Sequence, residues 1–227
     1  HELHEVPLDV CGADSQGAIG YELQQALGHD FARLGMTTEA VTVVTQVEVD
    51  RNDPAFANPT KPIGSFLDEE MAARRRKDGW TVVEDAGRGH RVVVASPKPM
   101  RIVELNAVKA LAAAGFVVIT VGGGGIPVVA DDAGLLHGAP AVIDKDFASS
   151  LLASELDADL FVIATAVDRV ALERRQQLRA GDPATAEDHV DEPGLVVDAR
   201  GDDVNFLAVI LGAEHLADLV PRAHHAV

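Results

Sequence analysis

Phe116-Val-Val-Ile-Thr-Val121 runs into Gly122-Gly-Gly-Gly125-Ile-Pro-Val128, and a second apolar run, Ala141-Val-Ile143, ends in Asp144-Lys145-Asp146. A continuous run of β-branched residues predicts a central strand of a parallel sheet, buried on both faces. The four glycines fall where that strand should end. In open α/β sheets ligands bind beside the carboxyl ends of strands, where backbone without side chains can approach an anion closely. Asp144-Lys145-Asp146 sets a cation between two carboxylates at the start of a helix-like segment, Phe147 to Leu156. Glycine-rich backbone and a held lysine at one sheet edge point to phosphate chemistry.

Working outward, strands and helices alternate. Ala40 to Val49 reads as one strand, Ile102 to Ala114 as a helix stopped by Gly115, Lys145 to Leu156 as a helix and Leu160 to Ala164 as a short strand. Residues 1–13 read as loop, with Pro7 and Gly12. Asp14 or Ser15 is the expected cap of a helix whose buried face carries Ile19, Leu23, Leu27 and Phe31. Residues 50–100 differ in character: five prolines bracket a short helix (Ser65 to Arg76) and a hairpin (Trp80 to Glu84 with Arg91 to Ala95 across Gly87 to Gly89). An excursion of this kind between core strands predicts a lid. Within it Lys61 stands between Pro59 and Pro62, which restrict the backbone and give the lysine a stiff mount. Thr165-Ala-Val-Asp168 lies at another strand end, again the ligand edge. Beyond residue 171 the pattern fades; Leu172 to Leu178 is compatible with helix, 180–203 is acidic and Phe206 to Leu219 is apolar enough to pack.

Composition narrows the function. The 227 residues carry 36 acidic and 19 basic side chains, a formal charge of −17, which argues against nucleic acid as partner because phosphate backbones demand Lys and Arg. No apolar run is long enough to span a bilayer. The lone Cys11 excludes an intrachain disulfide framework and fits a reducing cytoplasm. His1 and His4 are not at the spacing that places two ligands on one helical face, and His224-His225 sits in a tail, so no metal site is expected. Neither G-x-x-x-x-G-K-[ST] nor G-x-G-x-x-G is present, and no nucleophile–base pair stands out. Lysines occur only at 61, 77, 98, 109 and 145, so few cations are available for phosphoryl transfer, where catalysis is mostly positioning and charge neutralisation.

Pro7-Leu-Asp-Val-Cys-Gly12, Ser15-Gln-Gly-Ala-Ile-Gly-Tyr21, Asn58-Pro-Thr-Lys-Pro-Ile-Gly64, Glu84-Asp-Ala-Gly-Arg-Gly89, Ser96-Pro-Lys-Pro99, Gly122 to Val128 and Val142 to Asp146 together resemble the carbamate kinase family, in the family's order. The resemblance covers residues 7 to about 170. It implies the amino-acid-kinase fold, a three-layer α/β/α sandwich with a mainly parallel sheet and a small protruding lid over about 50–100, within a partial domain of residues 1–183. It also implies a cytoplasmic homodimer performing Mg2+-dependent phosphoryl transfer between carbamoyl phosphate and ADP, giving ATP and carbamate, in arginine breakdown. By the same resemblance Lys61 is brought over the substrate, Lys145 stabilises the transferred phosphoryl group, and Asp146 orients it. Gly123, Gly124, Asp144, Thr165 and Asp168 line the substrate and nucleotide site. Kinases of acetylglutamate, aspartate or UMP are the alternative within the superfamily, against which the Asn58 to Gly64 segment argues. The family's glycine loops that precede Pro7 in order, and its later nucleotide-contacting lysine, have no counterpart here, and residues 184–227 match nothing in it. The expectation is therefore a chain truncated at its start and divergent at its end. A second class of function, a non-catalytic nucleotide-binding or dimerisation module on the kinase scaffold, stays open.

Overall fold

The computed structural model describes residues 6–163, except Ala86 and Asp159, together with the backbone of Leu195–Val196. Thr165, Asp168 and the apolar and helical expectations beyond residue 171 lie outside the described residues. The architecture is α/β, as the alternation of strands and helices implies, with a mixed sheet.

Two long strand paths run side by side and parallel. The first is β1 (Ala40–Thr42) followed by β2 (Gln46–Val49); its partner is β7 (Val117–Ile119) followed by β8 (Ile126–Ala130). Both paths break in the middle, where one unbroken strand over 40–49 was expected. The register explains the break: Thr42 pairs with Ile119 but Gln46 with Ile126, so the second path holds three residues more than the first. The surplus loops out as the short 3-10 turn Gly122–Gly124. Two antiparallel strands flank this pair, β6 (Pro99–Ile102) beside β2 and β9 (Leu136–Gly138) beside β8.

Helices cover both faces. Val47, Val49 and Val118 join Val108 of α3 (Leu105–Ala113) and Ala148 and Leu152 of α4 (Lys145–Glu155) in one buried cluster, with Val41 and Val43 packed against it. Because side chains alternate along a strand, Thr42 points the other way, onto α1 (Leu8–Leu34), where it fits against Gly20. The expected apolar run is indeed buried on both faces: Val117, Val118 and Ile119 are all inaccessible.

Five local expectations are corrected. Residues 8–13 are the first turns of α1, not loop; Pro7 precedes the helix with φ −56° and its carbonyl accepts from Cys11 N, so proline sits where its missing N–H costs nothing. Asp14 and Ser15 are mid-helix, and Ser15 Oγ donates back to the Cys11 carbonyl instead of capping. The lid helix α2 spans Glu69–Lys77, because Ser65 to Leu67 continue strand β3 (Lys61–Leu67) and Asp68 supplies the cap by accepting from Met71 N. Ile102 ends β6 instead of opening a helix, and Ala141 to Ile143 forms only a single parallel bridge, Ala95 to Ala141.

The excursion after β2 has its own three-stranded antiparallel sheet, β3–β5–β4, with β4 over Val82–Glu84 and β5 over His90–Val94, and α2 packed on it. The hairpin across Gly87 to Gly89 is as read from sequence.

Candidate active site

Helix α4 opens at the meeting point of three structural units. Asp144 is its cap: Oδ1 accepts the Asp146 N–H at 3.0 Å. The other carboxylate oxygen, Oδ2, takes Lys61 Nζ from the base of the lid at 2.8 Å, with both side chains 29% exposed. One residue along, Lys145 Nζ donates to Asp146 Oδ1 at 2.7 Å. The result is an alternating array of two cations and two carboxylates, half-buried and nearly neutral. Burial raises the Asp144 carboxyl pKa, and the Lys61 hydrogen bond, the Lys61 charge and the amides of Asp146 and Phe147 outweigh it, holding the group below its ordinary 3.8.

The lid delivers Lys61 through short, braced stems. Thr60 N donates to Val94 O and Lys61 pairs with Val94 in the lid sheet, so the lysine leaves from a two-strand mount. Asp53 ties the two stems together, accepting from Ala55 N with Oδ1 and from Lys98 N with Oδ2. Ala95 O in turn accepts from Val142 N, two residues before Asp144. The stem that carries the lid is thereby bonded to the segment that leads into the D-K-D sequence.

The glycine turn forms the third side. A Cβ on Gly124 would stand 2.4 Å from the Ile143 carbonyl oxygen, so only glycine lets the turn lie against the residue preceding Asp144. Gly123 differs: its φ is +65°, and a Cβ there would meet nothing within 4 Å. The turn therefore presses one glycine on the base of α4 and shows the other to open space. Its own hydrogen bonds use Gly124 N to Val121 O and Gly125 N to Gly122 O, leaving the Gly122 and Gly123 amides outside this frame.

The structure thus brings together Lys61, Gly123, Gly124, Asp144, Lys145 and Asp146. Missed by the sequence reading were three polar residues beneath the turn. Gln16 of α1, buried among polar partners, accepts from Thr45 N through Oε1 (2.8 Å) and donates through Nε2 to the carbonyls of Thr45 (3.2 Å) and Gly122 (3.0 Å). Thr45 and Thr120 share a hydroxyl contact of 2.7 Å, and Val121 N donates to Thr45 Oγ1. Thr45 and Thr120 interrupt apolar runs, and Gln16 lies in the Ser15 to Tyr21 stretch that carried the resemblance; neither signal assigned them a role. A pocket between α1 and Thr38 to Ala40 lies elsewhere and lacks these lysines and carboxylates.

Among the described residues no group of three or more His, Cys, Asp or Glu is placed to hold a metal, and no helix is long and apolar enough to cross a membrane.

Comparison with known proteins places these features in a wider setting. The amino acid kinase family matches residues 7–178. A carbamate kinase-like protein of Escherichia coli strain K12, YqeA, is 59% identical over 167 residues, covering 74% of this chain and 54% of that protein. A carbamate kinase of Clostridium perfringens is 56% identical over 167 residues, covering 73% and 53%. Among solved structures, a carbamate kinase from Giardia lamblia bound to AMP-PNP superposes with a TM-score of 0.64 at 46% identity, covering 73% of this chain and 53% of that one. The chain spans about half the length of the curated relatives it matches.

Proposed function

The chain belongs to the amino acid kinase family, and from that premise we propose that it carries the phosphoryl-transfer half-site of a carbamate kinase. The observation that supports this most directly is the convergence of Lys61 from the lid and the Asp144-Lys145-Asp146 cap against a glycine turn. In this reading an ADP oxygen attacks the phosphorus of carbamoyl phosphate, the bond from phosphorus to the carbamate oxygen breaks, and carbamate leaves as ATP forms. No protein base is needed, because the attacking group is already an anion. Lys145 and Lys61 supply positive charge to the moving phosphoryl oxygens, and Asp146 and Asp144 hold the two ammonium groups in place until the phosphate arrives.

Magnesium fits this site as a companion of the nucleotide. The two carboxylates are already engaged by lysines, and Mg2+ is commonly held through substrate phosphates and water with few protein ligands. Bound there, it would neutralise phosphate charge. The substrates are then carbamoyl phosphate or carbamate and ADP or ATP, in a cytoplasmic homodimer serving arginine breakdown.

A second reading is a nucleotide-binding or dimerisation module that keeps the kinase scaffold without turnover. The two separate in one assay: ATP formation from carbamoyl phosphate, ADP and Mg2+. The first predicts activity that falls by about 10²–10³-fold or more in Lys145→Ala, the range seen when a donor to a developing charge is removed. Folded protein without turnover would overturn it in favour of the second.

A further inference from the structure

Val121 is a β-branched residue held at φ +46°, ψ +30°, with 2% of its surface exposed. The left-handed region is costly for such a side chain, about 1–3 kcal/mol, and persists only where its surroundings over-determine it. The Val121 side chain packs in the buried apolar cluster, while a polar frame grips the backbone of the turn from two sides. Thr45 Oγ1 donates to Val43 O at 2.7 Å, so its contact with Thr120 Oγ1 is one it accepts, as is the bond from Val121 N at 3.1 Å. The hydroxyl therefore uses one donor and two acceptor positions, its whole capacity. From α1, the Gln16 amide grips the same point. Because Thr45 N–H can only donate, the amide oxygen must face it, and the amide nitrogen is left to face the carbonyls of Thr45 and Gly122. Gly122 fits so closely on Gln16 that a Cβ there would lie 3.3 Å from its Cγ.

The strand break has a direct consequence for chemistry. A plain β-strand path would carry Val121 to Gly124 straight on; here the chain reverses into the left-handed region and presents Gly123 to open space. The frame that enforces the reversal comes from α1 and from the break between β1 and β2, and its bonds involve neither Lys61 nor Asp144. Neither Gln16 nor Thr45 needs to touch a ligand to govern where the glycine amides stand.

We propose that Gln16 and Thr45 are positioning residues, which hold the strained Val121–Gly124 turn in the one conformation that aims its glycine amides at a phosphoryl group. This rests on the phosphoryl-transfer reading of the site above.

Three substitutions separate the parts. Thr45→Ser keeps the hydroxyl, while Thr45→Val keeps the shape and removes it. Gln16→Glu still accepts from Thr45 N but cannot donate to the two carbonyls. Amide hydrogen exchange over residues 121–125 reads the turn, and calorimetry with carbamoyl phosphate, and separately with ADP, reads the site. The expected result is faster exchange of the turn amides in Thr45→Val and Gln16→Glu, near-native exchange in Thr45→Ser, and carbamoyl phosphate affinity reduced by about ten- to a hundredfold only where the turn has loosened. Unchanged exchange in both Thr45→Val and Gln16→Glu overturns the inference. So does a loosened turn with undiminished affinity, which would make the frame structural alone. If Thr45→Val does not fold, Gln16→Glu decides by the same two readouts. Wild-type protein that binds neither ligand, with a well-protected turn that loosens in the variants, would sink the phosphoryl-transfer reading while leaving the frame itself demonstrated.

Discussion

The four consecutive glycines are not equivalent, and substituting them one at a time tests the site geometry without any assay of activity. In Gly124→Ala the new Cβ would stand 2.4 Å from the Ile143 carbonyl oxygen and 2.9 Å from its carbon, at φ +102°. Both contacts are to backbone, which cannot swing aside as the end of a flexible side chain can. In Gly123→Ala the φ is +65° and nothing lies within 4 Å, so only conformational strain remains. That strain is about 1–2 kcal/mol for an L-residue in the left-handed region. Overpacking against fixed atoms adds about 1–3 kcal/mol. Gly123→Ala should therefore cost about 1–2 kcal/mol and Gly124→Ala about 2–5 kcal/mol. With a urea m-value of about 2–3 kcal/mol/M, a difference of about 2 kcal/mol separates the two midpoints by roughly 0.7–1 M. Urea unfolding followed by circular dichroism measures this directly. Equal midpoints, or a larger loss in Gly123→Ala, would refute the claim that the turn is pressed on the residue before Asp144.

Other consequences of the structure are open to measurement. Asp144 has a folded-state pKa held below its ordinary 3.8, so the stability it contributes is present above that value and lost as pH falls through the lower folded pKa; Asp144→Asn, which keeps the cap, should flatten the acid side of a stability–pH profile measured by urea unfolding. Lys61→Met leaves the half-buried Asp144 carboxylate without its cation and should cost about 1–2 kcal/mol, with part of the loss recovered in the double variant with Asp144→Asn, as a double-mutant cycle would read. Thr42 Oγ1 is buried with no hydrogen-bond partner among the described residues, so Thr42→Val should raise the melting temperature, the gain being about 1 kcal/mol; a fall would show that the hydroxyl is satisfied. Gly20→Ala gains helix propensity of about 1 kcal/mol but sets its Cβ 2.3 Å from Thr42 Cγ2, so it should destabilise, and Thr42→Ala in the same chain should restore what was lost.

Much of this architecture was legible because it rests on short-range pattern. An apolar run ending in glycines gives the buried strand β7 and its turn, and an acid-first, base-last segment gives the lid helix. Gly35 closes α1 in the left-handed conformation at φ +67°, as a terminal glycine should. The errors share a different cause. Ile19 was assigned to the buried face of α1 by its period, yet it is 52% exposed, while Gln16 and Gly20 are buried. Periodicity assumes that a helix packs by its large apolar side chains. This one approaches its sheet through a missing side chain at Gly20 and a hydrogen-bonding one at Gln16. The same blindness hid the strand break, since nothing local in Val43-Val-Thr45 marks it. The extra residues that force it lie on another strand, more than seventy positions away.

Of the candidate site, the charged residues could be read from sequence and their supports could not. Lysines are scarce in this acidic chain, so Lys61 and Lys145 stood out, and the structure pairs each with a carboxylate at 2.8 Å or closer. What sequence cannot supply is how Lys61, 83 residues before Asp144, reaches it. The answer lies in the wiring of the lid. Its outgoing stem carries Lys61, its returning stem passes through Ala95, and Ala95 bonds the segment that leads into Asp144. Asp53 joins the two stems behind them. The Lys61–Asp144 contact therefore lies at the base of the lid and not at its tip. Asp144 is also the cap that starts α4 and neighbours the residue on which Gly124 rests. One carboxylate thus registers lid, helix and glycine turn together. A phosphate drawing Lys61 away from Asp144 would have to shift the balance among all three.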